Sequence, residues 1–387
     1  MIDRRMLMSS AALAALATLT PHSALAQDAK LPNPLSWTAY DVGSGGYNQS
    51  VAIGKALKDA MGIDLRVLPG KNDVSRQVPL REKKVDFSAT GVGAAYLAQE
   101  GVFEFGAKSW GPQPVRVLLA ANSDSNLTVG VAADAGVKEI KDLKGKRVAW
   151  VVGSPSLNEN VGAILAFGGL SWADVKKVEF PGFGQSWDGI KAGLVDAAFA
   201  QTSSGKAFEV AASPRGLVWP PLPHADKNGW ARLKTKAPFF QPSNGIEGAN
   251  LSKEKPHEGA TYPYPILIAY ADQKDDMVYA MTKAMVELFP KYKDSSPGIN
   301  GWALERQNFE WAVPYHPGAI RYLREIKKWS DGAQAHNDKL LARQAALKAA
   351  WDEVSAKSIA DEKAFEAAWL ELRAKKLEAA GMPAVYK

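Results

Sequence analysis

The 387-residue sequence contains no cysteine. Disulfides, thiol nucleophiles and thiolate metal sites are therefore excluded, as is an anchor that needs a lipid-bearing cysteine. Histidine is scarce, with 5 residues in all. His224, His257, His316 and His336 have no H-x-x-x-H spacing for a metal. His316, between Tyr315 and Pro317, reads as structural. A G-x-S-x-G nucleophile turn is missing, and Gly205-Lys206 lacks the upstream glycine of a phosphate-binding loop. After residue 26 no stretch reaches ~18 uninterrupted apolar residues, the length of a bilayer span. Charge of one sign never accumulates. The net +6 is spread among acids, as in Asp142-Leu143-Lys144-Gly145-Lys146-Arg147. That distribution suits mild attraction of anions and excludes a nucleic-acid footprint.

What is present fits a folded chain: 46% apolar and 23% charged residues, with length for two domains. Residues 1–26 have the order of a secretory signal peptide. Arg4-Arg5 comes first, then the apolar run Ala11 to Leu19, then Ala24-Leu25-Ala26 as a small-residue cleavage site. The signal suits either the general secretory or the twin-arginine route. The expected location is the periplasm, with the mature chain starting near Gln27.

The rest alternates strands and helices, which argues for α/β architecture with largely parallel sheets. Strands are expected at Leu35 to Ala39, Ile63 to Val67, Val85 to Ala89 and Val115 to Ala121. The pattern then restarts, with strands at Lys146 to Val152, Val175 to Phe180 and Asp196 to Ala200. Two βαβ sets imply two lobes with a hinge and a cleft: 27–124 as the first part of lobe 1, 125–262 as lobe 2, and 263–337 as the return to lobe 1. Trp219 to Thr261 reads as an irregular excursion. Tyr264 to Ala271 reads as a strand and Asp276 to Phe289 as a helix. Residues 338–387 are alanine-rich and amphipathic, and read as a C-terminal helical extension.

Ligands in open α/β sheets bind outside the carboxyl ends of strands, where helix N-termini attract anions. The loop Gly43 to Asn48 has that place and offers Ser44, Gly45, Tyr47 and Asn48. It reads G-x-G-x-x-N, and Val67-Leu68-Pro69 supply no acid at the next strand end, so a dinucleotide is excluded. The matching loop of lobe 2 offers Ser154, Ser156 and Asn158. Ser156 and Glu159 have the spacing of a capping box. Gln185, Trp187, Gln201 and Thr202 follow on two further loops, and Thr90 ends the third strand. Together these residues would line one cleft. The basic charge favours an anion there, while Trp37, Tyr47, Phe183 and Trp187 would equally floor an aromatic group.

These elements resemble the TAXI class of solute receptors, which serve tripartite ATP-independent periplasmic (TRAP) transporters. The resemblance spans Trp37 to Ser330. It rests on Gly43-Ser44-Gly45-Gly46-Tyr47, Val85-Asp86-Phe87, Asp142 to Val148 and Asp188 to Phe199. Asp276 to Lys283 and Pro314-Tyr315-His316-Pro317-Gly318-Ala319 complete it. It implies a periplasmic binding fold, a membrane permease as partner, and a small organic anion such as a carboxylate or amino acid as ligand. The missing catalytic and metal-ligand patterns point to no enzyme activity, cofactor or metal, and a monomer is expected. The sequence departs from the family's pattern at Ser154 to Asn158 and at Gly91-Val92-Gly93. A ligand sensor of the same fold remains open. An enzyme of the same fold is disfavoured by the missing nucleophiles.

Overall fold

The computed structural model describes residues 30–387, so the expected signal peptide lies outside the described residues. Two five-stranded sheets dominate. The first contains β1 (Leu35–Ala39), β2 (Leu65–Pro69), β3 (Phe87–Thr90) and β4 (Val115–Ala120). Between them run α1 (Gly45–Met61), α2 (Asp73–Arg81) and α3 (Val92–Glu100). The second contains β5 (Leu127–Ala132), β6 (Arg147–Val151), β7 (Lys176–Phe180), β8 (Ala197–Gln201) and β9 (Leu217–Val218). Its helices are α4 (Pro155–Phe167), α5 (Phe183–Lys191) and α6 (Gly205–Ala211).

Residues 219–261 are more regular than their Pro- and Gly-rich composition suggests. They form α7 (Lys227–Lys234) and an antiparallel pair, β10 (Gln241–Gly245) with β11 (His257–Thr261). The chain then returns to the first sheet as β12 (Ile266–Tyr270), followed by α8 (Asp275–Glu287), α9 (Phe289–Tyr292) and α10 (Pro317–Glu325). Two long helices close the chain, α11 (Asp331–Ser355) and α12 (Glu362–Ala379). Among the described residues, no helix is long and apolar enough to cross a membrane.

Both sheets follow one plan. The first is ordered β2-β1-β3-β12-β4 and the second β7-β6-β8-β5-β9. In each, three parallel strands are followed by one antiparallel strand that belongs to an interlobe crossing. The fold is thus the two-lobed α/β arrangement expected of a periplasmic binding protein. The crossings are tied to each other: Ala121 N–H donates to the Pro265 carbonyl and Tyr264 N–H to the Ala121 carbonyl, both at 2.8 Å. Short crossings joined in this way let two rigid bodies rotate about one axis.

Lobe 2 carries an ion network at the base of its sheet. Asp196 accepts from Arg147 at 2.6 Å and from Arg215 at 3.3 Å, and Arg215 also grips Asp134. Burial alone would raise the Asp196 carboxyl, but the bonds from Arg147 and Arg215 outweigh it and hold the group at about 2. That lies below the ~3.9 of an unfolded aspartate. The ionised group therefore stabilises the fold above pH ~4, and this contribution is lost as pH falls toward 2. Denaturation followed between pH 5 and 2 is expected to show a weaker acid dependence for Asp196→Asn than for the unsubstituted chain. An identical dependence would remove Asp196 from the account.

His316, which the sequence marks as structural, caps α10. Its Nδ1 accepts from the Gly318 N–H at 3.2 Å, and burial lowers the basicity of its ring. The other described histidines meet backbone carbonyls. His257 meets Pro220, His224 meets Gly259 and His336 meets Trp311.

Candidate ligand-binding site

The C-terminal ends of β1, β3, β6 and β8 meet where the lobes touch. Along that seam the lobes are bonded to each other. Lys206 N–H donates to the Gly43 carbonyl at 3.3 Å, Phe183 N–H to Lys71 at 3.2 Å and Val74 N–H to Gly153 at 3.2 Å. Asn72 Nδ2 adds a bond to the Val152 carbonyl at 3.2 Å. Lobes joined this way are in a closed conformation.

Two of the helix N-termini of lobe 2 that face the seam are met by carboxylates of lobe 1. Asp73 Oδ2 accepts from the Ser156 N–H of α4 at 2.7 Å. Asp41 Oδ2 accepts from the Gly184 N–H of α5 at 3.0 Å. Carboxylates are favourable there because helix N-termini carry partial positive charge and unpaired N–H groups. The starts of α4 and α5 are therefore filled by the protein's own carboxylates, whereas at the start of α1 the Gly46 N–H donates to the Tyr264 hydroxyl at 3.4 Å.

Behind Asp73 lies Arg76, 2% exposed and ion-paired with it. The Arg76 guanidinium stacks over the Tyr40 ring at 3.9 Å. Tyr40 and Tyr264 rings lie 4.8 Å apart. Burial pushes the Tyr264 phenol up to about 12 and raises that of Tyr40 as well, so both hydroxyls stay neutral. Gly91 brings the start of α3 against these rings. A Cβ there would lie 2.7 Å from the Tyr40 hydroxyl and 3.5 Å from Tyr262, so the close approach requires glycine. Asn160 of α4 donates to the Tyr262 hydroxyl at 2.8 Å.

Several buried polar atoms around this cluster have no hydrogen-bond partner among the described residues: Arg76 Nε, Ser154 Oγ, Asn160 Oδ1, Gln185 Oε1 and Gln201 Oε1. Buried polar atoms are nearly always paired, so a cluster of unpaired ones drawn from both lobes marks a place built to hold something polar. The guanidinium Nε–H and the serine hydroxyl can donate, and the amide oxygens accept.

The residues expected from the sequence divide into two sets. Ser44 caps α1 by accepting from the Tyr47 N–H, and Gly45 follows it with Gln201 packed directly against it. Asn48 lies beside Gly205 of lobe 2. Thr90 ends β3 at Gly91 and is buried. With Ser154, Ser156, Gln185 and Gln201, these residues lie on or beside the seam.

The others are corrections. Trp187 is fully buried; its Nε1 donates to the Phe199 carbonyl and its ring packs between Phe183 and Trp219. It is core because α5 starts at Phe183 and places Trp187 on that helix's buried face. Phe183 and Trp37 are buried in the same sense and floor no ligand. Asn158 is saturated by Val151, accepting from its N–H and donating to its carbonyl, both at 2.9 Å. Thr202 pins the hinge, accepting from Asn126 N–H at 3.0 Å and donating to the Glu247 carbonyl at 2.7 Å. Tyr47 packs, partly buried, on the lobe 1 core. Ser156 caps nothing. The helix begins at Pro155, Ser154 holds the N-cap position, and the capping oxygen comes from Asp73.

Sequence reasoning missed Tyr40, Asp73, Arg76, Asn160, Tyr262 and Tyr264. The available signal was the aromatic run Thr261-Tyr262-Pro263-Tyr264-Pro265 at the return crossing. A second was Asp73 and Arg76 one helical turn apart behind the capping residue Asn72.

Solved structures similar to this chain include the alkanesulfonate-binding protein SsuA from Xanthomonas axonopodis pv. citri bound to MOPS. It is 15% identical, with 81% of this chain and 84% of that chain covered and a TM-score of 0.45. PhnD1 from Prochlorococcus marinus, in complex with methylphosphonate, is 13% identical over 77% of this chain and 100% of its own, with a TM-score of 0.44. The substrate-binding protein AbpA from Streptococcus pneumoniae, bound to L-arginine, is 13% identical over 71% and 94%, with a TM-score of 0.41. A family model gives the decisive match, spanning residues 43–326 and thus every strand of both sheets except β1; the chain belongs to the NMT1-like family.

Proposed function

We propose that this chain is the periplasmic solute-binding subunit of a TRAP transporter, which captures a small organic anion between its lobes and delivers it to a membrane permease. The observation that carries the reading is the buried Arg76, which presents an unpaired Nε–H among unpaired polar atoms of the opposite lobe. A fixed guanidinium in a water-poor seam suits a carboxylate or similar oxyanion. The unpaired amide oxygens of Asn160 and Gln201 call for donors on the same ligand, such as a hydroxyl or amine. The neutral phenols of Tyr40, Tyr262 and Tyr264 lie beside these atoms and suit an apolar body of the ligand.

Binding then works by population shift, because contacts to both lobes exist only in the closed form. Moving the equilibrium from 1:99 to 99:1 takes ~5.5 kcal/mol of differential affinity. Two or three charge-assisted hydrogen bonds at ~1.5–3 kcal/mol each supply it.

A thermal-shift screen of carboxylates, hydroxy acids, amino acids and sulfonates tests the ligand class. A true ligand at 100 times its Kd adds ~2.7 kcal/mol of stability, a rise of about 3–4 °C for a chain of this size. A screen in which neutral sugars stabilise the protein and no anion does so would overturn the anion reading. The transporter class is tested by uptake into vesicles that hold the permease. Uptake is expected to need an ion gradient and no ATP, and a strict ATP requirement would reject the TRAP assignment.

A further inference from the structure

Helices α11 and α12 pair as a hairpin with its own apolar seam, which includes Leu347, Val354, Phe365 and Trp369. The hairpin is rooted in lobe 1. Glu100, the last residue of α3, is buried between Arg343, at 2.6 Å, and Arg373. Trp369 Nε1 donates to the Gly101 carbonyl, and Arg373 Nε donates to the Glu100 carbonyl at 3.2 Å. Because α3 starts just after Gly91, this one helix runs from the ligand seam to the hairpin.

The segment after α12 leaves this base and reaches the other lobe. Arg373 Nη1 holds the Tyr386 carbonyl at 2.6 Å. The Tyr386 hydroxyl donates to the carbonyl of Lys236, just past α7 in lobe 2, at 2.8 Å. Its ring meets Phe103 of lobe 1 edge-on, with centroids 5.2 Å apart. A cavity of about 540 Å³ beneath Tyr386 draws its walls from lobe 1 (Phe103), lobe 2 (Glu159, Lys236) and the hairpin (Trp369, Leu370). Separating the lobes about their crossings therefore has to break the Tyr386 bond to Lys236.

We infer that residues 383–387 form a latch: Tyr386, carried on a hairpin fixed to lobe 1, grips lobe 2 and biases the protein toward its closed form. This rests on the two-lobe closure described above. A contact made only in the closed form changes the closed-to-open ratio by its own free energy, with or without ligand. The latch thus sets how much of the closure free energy the ligand itself has to supply.

The absence of cysteine makes a direct test simple. Met61→Cys and Leu194→Cys, both at exposed positions in different lobes, accept a dye pair on the full chain. Single-molecule energy transfer on the ligand-free protein then reads the open and closed populations. Tyr386→Phe, which keeps the ring and loses the bond, is expected to raise the open-to-closed ratio about two- to tenfold. Tyr386→Ala is expected to raise it further. Gly205→Leu serves as the control for closure. A Cβ at Gly205 already lies 3.1 Å from the Gly43 carbonyl across the seam, so a leucine there wedges the lobes apart. If Gly205→Leu opens the protein and neither Tyr386 variant does, the latch is wrong and closure stands. If none of the three changes the distances, the two-lobe motion fails and the latch fails with it.

Discussion

An Arg76→Ala protein is expected to lose its anion and much of its stability together. Arg76 and Asp73 are both buried, and they bond to each other. Removing the guanidinium leaves the Asp73 carboxylate in a site that water barely reaches, at a cost of about 3–5 kcal/mol. Binding falls for a separate reason. The proposed ligand loses one or two charge-assisted hydrogen bonds, so its Kd should rise at least ~10-fold. The two effects are separable with Asp73→Asn combined with Arg76→Met. The asparagine oxygen still accepts from the Ser156 N–H, which Asp73 meets at 2.7 Å, and no unpaired charge remains. Such neutral replacements of a buried pair commonly restore stability to within ~1–2 kcal/mol or better. Calorimetric titration of the double variant should then show a folded protein that does not bind. Affinity within about threefold of the unsubstituted chain would mean that the anion is held elsewhere.

How far the sequence could be read depended on where apolar residues carried the structure. Alternating or continuous apolar runs placed most strands within about two residues, including the observed Leu35–Ala39, Val115–Ala120 and Ile266–Tyr270. The repeated strand–helix pattern predicted two sheets because each lobe buries its own central strands. The glycine-rich turn before α1 was legible because backbone must pass close to the other lobe there. Helix α2 was not legible as a binding element, for a physical reason. Its buried face is Asp73, Arg76, Gln77 and Leu80, while Val74 and Val78 are partly exposed. Apolar periodicity therefore points away from the face that matters. Trp187 misled in the opposite direction: a tryptophan after Gly-Phe-Gly-Gln-Ser reads as a polar loop until α5 is seen to start at Phe183. The carboxylates on the starts of α4 and α5 come from residues 83 and 143 positions away in sequence. No local pattern carries such pairings.

The same weighing of charge against burial gives the second large effect, at Glu100. This carboxylate is fully buried and serves two guanidiniums, Arg343 and Arg373, that are themselves at most 9% exposed. Glu100→Gln keeps the shape and removes the charge, which leaves two cations facing each other in the interior. The expected loss is about 3–5 kcal/mol, a drop in melting temperature of roughly 4–7 °C for a chain of this size. Breaking only one Arg pairing would cost less, because the remaining guanidinium still neutralises Glu100. Replacing all three residues with Met, Met and Leu should recover most of the loss, since a buried ion triad commonly breaks even with apolar groups of similar volume. Hydrogen exchange tells where the damage falls. It should rise first in α11, α12 and the end of α3, because these helices share the triad, and only later in the β-sheet of lobe 2. Melting of Glu100→Gln within about 2 °C of the unsubstituted chain would mean that the hairpin is held by its apolar seam alone. The buried charges would then contribute nothing to fixing α3 at the end opposite the seam.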